Sequence, residues 1–349
     1  MTVDALTDVA GLRVGHATRS GGGWLTGTTV VLPPEEGAVA AVDVRGGGPG
    51  TKETDALDPR NVVRRAHAIV LTGGSAYGLD AASGVMAWLE EQGRGVRVGA
   101  GPAHVVPVVP AACVFDLARG GDFRARPDAA LGRAAVEAAA ASAPGARVRE
   151  GCVGAGAGAV AGGLKGGIGS ASVVLDSGIT VGALVVANPA GAVLQPETGA
   201  LYGELFQGRV EFPEPRVHAS ARRRLAEAAA KNAPPLLNTT LAVVATDAEL
   251  SKAQAQKLAG TAHDGIARAI RPVHLLNDGD TVFALATGAR PLDEHPLALN
   301  EILAAGADLV TRAIVRAVRA AEPVDGPGGV WPSYEELYGA SQGESRGER

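Results

Sequence analysis

At 349 residues, with 46% hydrophobic side chains and 49 glycines but only 3% aromatics, the chain can bury a large core that must be built from small and β-branched side chains. A formal charge of −5, with no basic cluster longer than Arg222-Arg223-Arg224, argues against a nucleic-acid partner. Met1 to Val14 holds no apolar segment long enough for a signal peptide or membrane span, so a soluble, cytoplasmic protein without a membrane partner is expected.

Along the chain, Thr28–Leu32 and Ala38–Val44 read as strands joined in a hairpin by Pro33-Pro34-Glu35-Glu36-Gly37. A glycine loop, Gly46 to Gly50, precedes Asn61–Ala66 and the buried strand Ala68–Leu71. Thr72-Gly73-Gly74-Ser75-Ala76-Tyr77-Gly78 then leads into a helix from about Leu79 to Gln92, and an alanine-rich helix covers 129–142. Residues 151–169 are dominated by Gly and Ala around one lysine, Lys165. Strands Ser172–Asp176 and Thr180–Ala187 follow, the second ending at Asn188-Pro189; 192–218 is polar and proline-containing, as in an exposed excursion.

A charged helix over 219–231 runs into the breaker-rich Ala233-Pro234-Pro235. Strand 241–246, helix 251–269 capped by Ser251, strand 281–287, a helix from about Pro296 to Glu322 and a frayed tail, Ser341 to Arg349, complete the order. Alternating helices and strands that are apolar on both faces imply an α/β fold with helices layered on sheet.

Leu237-Asn238-Thr239-Thr240-Leu241 places a hydroxyl between the breaker-rich loop and a buried strand. Cutting the Asn238–Thr239 bond would set the Thr239 hydroxyl beside its own α-amino group, whose ordinary pKa of roughly 7.7–8.0 suits a general base. The same residues also fit an ordinary strand start or a glycosylation acceptor. Lys165 is an ammonium in an apolar segment, costly to bury unless a negative group or nucleophile adjoins it; a surface loop is the alternative. The Asn188 amide can cap a turn or donate to an oxyanion. Asp278-Gly279-Asp280 suits a tight turn or a charged network orienting a lysine or amine, and lacks the remaining ligands of a calcium loop.

The glycine loops match neither nucleotide-binding spacing, and Ser75 comes one residue too early for a G-x-S-x-G elbow. What they offer is close backbone approach and exposed N–H groups. Cys113 and Cys152 read as buried free thiols, and the seven scattered His form no metal-ligand spacing, so no metal or organic cofactor is expected.

These pieces together resemble the DmpA-like (P1) family of self-processing peptidases, which includes an L-aminopeptidase/D-amidase-esterase, β-peptidyl aminopeptidases and the nylon-oligomer endo-hydrolase. The resemblance runs through Gly11-Leu12-Arg13-Val14-Gly15-His16, Gly27-Thr28-Thr29-Val30-Val31-Leu32-Pro33, Gly73 to Leu79, Lys165-Gly166-Gly167, Ala187-Asn188-Pro189, Asn238-Thr239-Thr240 and Asp278-Gly279-Asp280-Thr281. It implies an αββα four-layer sandwich with an N-terminal-nucleophile site. Autocleavage would divide one domain into an α-chain, 1–238, and a β-chain, 239–349, which stay associated, with such pairs forming a homotetramer.

Carried over residue by residue, the resemblance makes Thr239 the nucleophile released after Asn238. Lys165, Asn188, Asp278 and Asp280 become the network around it, and Tyr77 a nearby tyrosine. Asn188 would then hold the oxyanion, and Lys165, kept charged by Asp278 and Asp280, would keep the α-amine neutral. The expected activity is hydrolysis of small peptides or amino-acid amides. Nylon-oligomer hydrolysis and ornithine acetyltransferase-like acyl transfer are alternative activities, and a binding-only descendant is the non-enzyme alternative.

Overall fold

Two sheets face each other at the centre of the fold, and a pair of helices covers the outer face of each. This computed structural model describes residues 2–208, 210, 212–232, 237–293, 295 and 297–339; the Ala233-Pro234-Pro235 loop, a helix start at Pro296 and the tail from Ser341 lie outside them. One sheet has the order β1 (Arg13–Gly21), β2 (Trp24–Leu32), β6 (Ile69–Thr72), β9 (Ala111–Cys113), β4 (Thr51–Lys52). The other runs β12 (Gly167–Val174), β13 (Thr180–Asn188), β14 (Thr239–Ala248), β15 (Thr281–Arg290), β3 (Ala38–Val44), β5 (Arg65–Ala66).

Helices α2 (Ala81–Glu91) and α3 (Ala129–Ala141) cover the first sheet, α6 (Lys252–Ala269) and α7 (Ala298–Arg319) the second. Small hairpins β7 (Val96–Arg97) with β8 (Val105–Val106), β10 (Val160–Ala161) with β11 (Leu164–Lys165) and β16 (Val324–Gly326) with β17 (Gly329–Trp331) flank this core. So do helices α1 (Ser75–Gly78), α4 (Tyr202–Gln207), α5 (Pro215–Lys231) and α8 (Tyr334–Tyr338).

The αββα layering follows from strands with two apolar faces. Leu241, Val243, Phe283 and Leu285 meet Val31, Ile69 and Leu71 between the sheets. Their chain neighbours Ala242, Val244, Val282 and Ala284 pack instead with Leu258, Ile266, Ile302 and Val310 of the outer helices. A strand buried on both sides has no polar face to show water, which is why its sequence is a continuous apolar run.

Three expectations need correction. The segments 28–32 and 38–44 do not form a hairpin: β2 pairs with β1 and β6, whereas β3 pairs with β15 and β5 in the other sheet. Each needs both faces covered and hydrogen-bonded neighbours on both edges, so the Pro33–Gly37 turn carries the chain from one layer to the next. Residues 192–218 are not a wholly exposed excursion, because Val193, Ala200 and Leu201 are buried and α4 packs on α6 and α7. Of the two thiols only Cys113 is buried; Cys152 is partly exposed, and both are free.

Small residues set how closely the layers approach. A Cβ on Gly132 of α3 would lie 1.9 Å from the Ala81 carbonyl oxygen of α2, and one on Gly84 1.8 Å from that of Ala129. Gly132→Ala gains about 1 kcal/mol of helix propensity, but must push two backbones apart, an overpacking penalty of about 1–3 kcal/mol. We expect a net loss of stability in urea unfolding, with Gly326→Ala, which meets nothing within 4 Å, unchanged; equal midpoints would show that the contact yields freely.

Candidate active site

One end of the six-stranded sheet gathers most of the candidate residues. β14 pairs antiparallel with β13, so its first residue, Thr239, stands opposite the last residue of β13, Asn188. It pairs parallel with β15, so the turn leading into Thr281 arrives at that same end, and Asn238 bridges Asp278. Thr239 therefore opens the buried strand rather than preceding it, and is itself 3% exposed.

The Asn238–Thr239 junction is tightly held. The Thr239 hydroxyl donates to the carbonyl oxygen of Asn238, the oxygen of the bond before it. That oxygen also receives the Gly279 N–H at 3.1 Å, while the Asn238 N–H donates to Asn277 at 3.0 Å. Asn238 Nδ2 donates to the Pro189 carbonyl at 2.9 Å. A Cβ on Gly279 would meet Thr239 Oγ1 at 2.7 Å, so only glycine lets the turn lie this close.

The two carboxylates of the turn diverge. Asp278 accepts the Ala190 N–H at 3.1 Å, just beyond Asn188. Burial raises its carboxyl above the usual range, and the neighbouring Asp280 adds to the shift. Asp280 Oδ1 accepts the Thr240 N–H at 2.7 Å, and its Oδ2 accepts the N–H and Nδ1 of His274 at 3.2 and 2.8 Å. The loop Gly46–Gly50 clamps this turn from outside: Gly46 N–H donates to the carbonyl of Asp280 and Gly48 N–H to that of Asp278. Close backbone approach is thus what this glycine loop supplies.

Lys165 is wholly buried. Its ammonium donates to three main-chain carbonyls, those of Gly156, Ala159 and Gly166, at 3.2, 2.9 and 2.9 Å. It pairs across the β10–β11 hairpin with Val160, whose N–H donates to Asn188 Oδ1 at 2.9 Å. The expected ion pair with Asp278 and Asp280 does not form. Both carboxylates are satisfied elsewhere, and among the described residues no carboxylate lies within 4.0 Å of the ammonium.

Burial pushes Lys165 down to about 8, partly offset by Cys152 and by the carboxylate of Asp116. Asp116, which sequence reasoning missed, is itself pushed up to about 6 by burial, and accepts from Thr26 Oγ1 at 2.6 Å and Gly74 N–H at 2.6 Å. Its only sequence signal is a lone acid after the apolar run Val105–Val114.

Among the described residues Asn188 Nδ2 has only a long contact, 3.3 Å to the Phe115 carbonyl, which leaves it able to donate elsewhere. Tyr77 is 59% exposed, its ring lies under the Arg126 guanidinium, 3.8 Å from the centroid, and among the described residues no hydrogen bond joins it to Thr239. Ser75 adopts φ 52 at a strand-to-helix turn, yet among the described residues no histidine hydrogen-bonds it, as a hydrolase elbow would require.

The depressed Lys165 pKa makes a stability prediction. Between pH 8 and 10.5 the unfolded chain binds a proton that the folded chain has released, so the wild type gains stability with rising pH in that window. The difference in unfolding free energy between wild type and Lys165→Met, from urea titrations at several pH values, should shift toward the wild type by a few kcal/mol. A difference that stays flat would mean that the ammonium remains charged throughout.

The chain matches peptidase family S58 over residues 4–331. It is 47% identical over 354 aligned residues to an uncharacterized aminopeptidase of Mycobacterium tuberculosis (strain ATCC 25618 / H37Rv), covering 96% of this chain and 98% of that protein. A 6-aminohexanoate-oligomer endohydrolase of Kocuria sp. (strain KY2) is 33% identical over 307 residues, 83% of this chain and 76% of its own. Among solved structures, a Burkholderia sp. beta-aminopeptidase superposes with a TM-score of 0.69 at 25% identity, over 99% of this chain and 95% of its own. An L-aminopeptidase D-Ala-esterase/amidase from Ochrobactrum anthropi, a variant of the Ntn-hydrolase fold, gives 0.71 at 24% identity, again over 99% and 95%.

Proposed function

The chain belongs to peptidase family S58, and from that membership and the geometry at Asn238–Thr239 we propose a self-processing threonine hydrolase that cleaves amide bonds of small peptides or amino-acid amides. The observation that carries this reading is the Thr239 hydroxyl lying against the carbonyl it would attack, with the Gly279 N–H already on the carbonyl oxygen.

In maturation, Thr239 Oγ adds to the Asn238 carbonyl carbon and the Gly279 N–H takes the developing oxyanion. Collapse passes the acyl group from nitrogen to oxygen; water hydrolyses the ester and leaves Asn238 as a new carboxylate and Thr239 as a new N-terminus. In turnover, Thr239 Oγ attacks a substrate carbonyl, its own α-amine takes the proton, and the amine product leaves an acyl-threonine that water cleaves. Asn188 Nδ2 is the side-chain donor for that second oxyanion. Lys165 positions Asn188 through Val160, and Asp280 lies at the new N-terminus through the Thr240 N–H.

The two pieces, 1–238 and 239–349, stay together because β14 is hydrogen-bonded on both edges. We take such pairs to assemble as homotetramers in the cytoplasm; among the described residues no helix is long and apolar enough to cross a membrane. The 6-aminohexanoate-oligomer hydrolase relative makes linear amide oligomers a second substrate class to test.

Purified protein should run on denaturing electrophoresis as fragments of about 24 and about 11 kDa from a 35.0 kDa chain, the smaller beginning at Thr239, whereas Thr239→Ala stays intact. A stable full-length band in the wild type would defeat the maturation scheme. Cleaved enzyme should also release free amine from simple amino-acid amides, abolished in Thr239→Ala. Transfer of acetyl from N-acetylornithine to glutamate, with amides untouched, would instead establish an acyltransferase.

A further inference from the structure

Asp280 is oriented by a residue that the scheme above does not use. His274 adopts φ 58, a left-handed conformation uncommon for a non-glycine residue and entered most readily by Asn, Asp and His. In that conformation its main-chain N–H and its ring Nδ1 converge on a single oxygen, Asp280 Oδ2, at 3.2 and 2.8 Å. The other oxygen is thereby turned toward the Thr240 N–H at 2.7 Å. A carboxylate only accepts, so a ring proton sits on Nδ1.

Nε2 is buried without a hydrogen-bond partner. The ring of His263 packs edge-to-face on the His274 ring, centroids 4.8 Å apart. His263 is fully buried, donates through Nε2 to the Asp43 carbonyl at 3.0 Å, and is pushed down to about 4 by burial. A neutral His263 thus holds the His274 ring against Asp280 without charge repulsion.

We propose that His274 is a positioning residue for the Thr239 chemistry: its paired donors lock one Asp280 oxygen so that the other faces the first residues of β14. The inference rests on Thr239 acting as the nucleophile, and Thr239→Ala measured alongside separates the two, since amidase activity in that variant would remove the nucleophile whatever His274 does.

Three substitutions isolate the donor. His274→Asn keeps a side-chain N–H near the Nδ1 position and suits the left-handed backbone; it should retain most of the rate of maturation and turnover. His274→Leu keeps bulk without a donor, and His274→Gly relieves the backbone while removing the donor. In both, kcat should fall about tenfold or more at little-changed KM, with slower self-cleavage. Should His274→Leu fail to fold, His274→Gly, free of backbone strain, carries the comparison. Nitrogen NMR of wild-type histidines should show His274 protonated at Nδ1. Wild-type rates in the folded donorless variants, an Asn variant no better than Gly, or a ring without a proton on Nδ1 would each overturn the proposal.

Discussion

Everything at the site depends on β14 being hydrogen-bonded on both edges, antiparallel on one and parallel on the other. An antiparallel neighbour delivers its last residue to the strand's beginning, and a parallel neighbour delivers its first. Asn188 at the end of β13, Thr239 at the start of β14 and the Asp278–Asp280 turn before β15 therefore meet without any loop having to fold over them. The hydroxyl is set by two ladders, so its placement costs little beyond what the sheet already spends on order.

Buried charge is the price of that end of the sheet, and the backbone meets most of it. Among the described residues Lys165 has no carboxylate at ion-pair distance; three carbonyl oxygens solvate it instead, as water would, in a medium where a bare ammonium is costly. The carboxylates are met by N–H groups of Ala190, Thr240 and His274. Such solvation requires backbones to come within touching distance, which side chains would prevent. A Cβ on Gly166 would lie 2.0 Å from the Ala187 carbonyl oxygen and one on Gly46 2.3 Å from the Asp280 nitrogen. The glycine-rich, aromatic-poor composition is in this sense a property of the site as well as of the core.

How much was legible in the sequence follows from the same physics. The buried strands announced themselves as apolar runs, and Thr239, Asn188 and Asp278–Asp280 stand at strand ends, where breaker residues mark them. Lys165 was conspicuous by contrast with its neighbours. Pairings between distant segments left no local mark: nothing near Lys165 says that Asp116 rather than Asp280 is the acid acting on it, and nothing in Pro33–Gly37 says that the chain changes sheets there. β1 was unreadable because this edge strand carries Arg13, His16, Thr18 and Arg19 and so lacks an apolar run. His274 gave no signal, since its role depends on a φ angle and on a ring from another element.

The same hydrogen bonds serve the chain differently before and after the proposed cut. While the Asn238–Thr239 bond is intact, its carbonyl oxygen occupies the Gly279 N–H and Asn238 is tied to Pro189 and Asn277. Were the bond cut as proposed, Asn238 would end in a carboxylate whose oxygen still faces the Gly279 N–H, and Thr239 would begin a new chain. The segment ending at Asn238 would then be held by its bonds to Pro189, Asn277 and Gly279 alone, whereas β14 keeps both ladders. Loss of the bond from Gly279 to Asn238 would leave that N–H free beside Thr239. On the proposed scheme one cut would thus turn Thr239 into an N-terminus and leave the Gly279 N–H, together with Asn188 Nδ2, available to an incoming carbonyl.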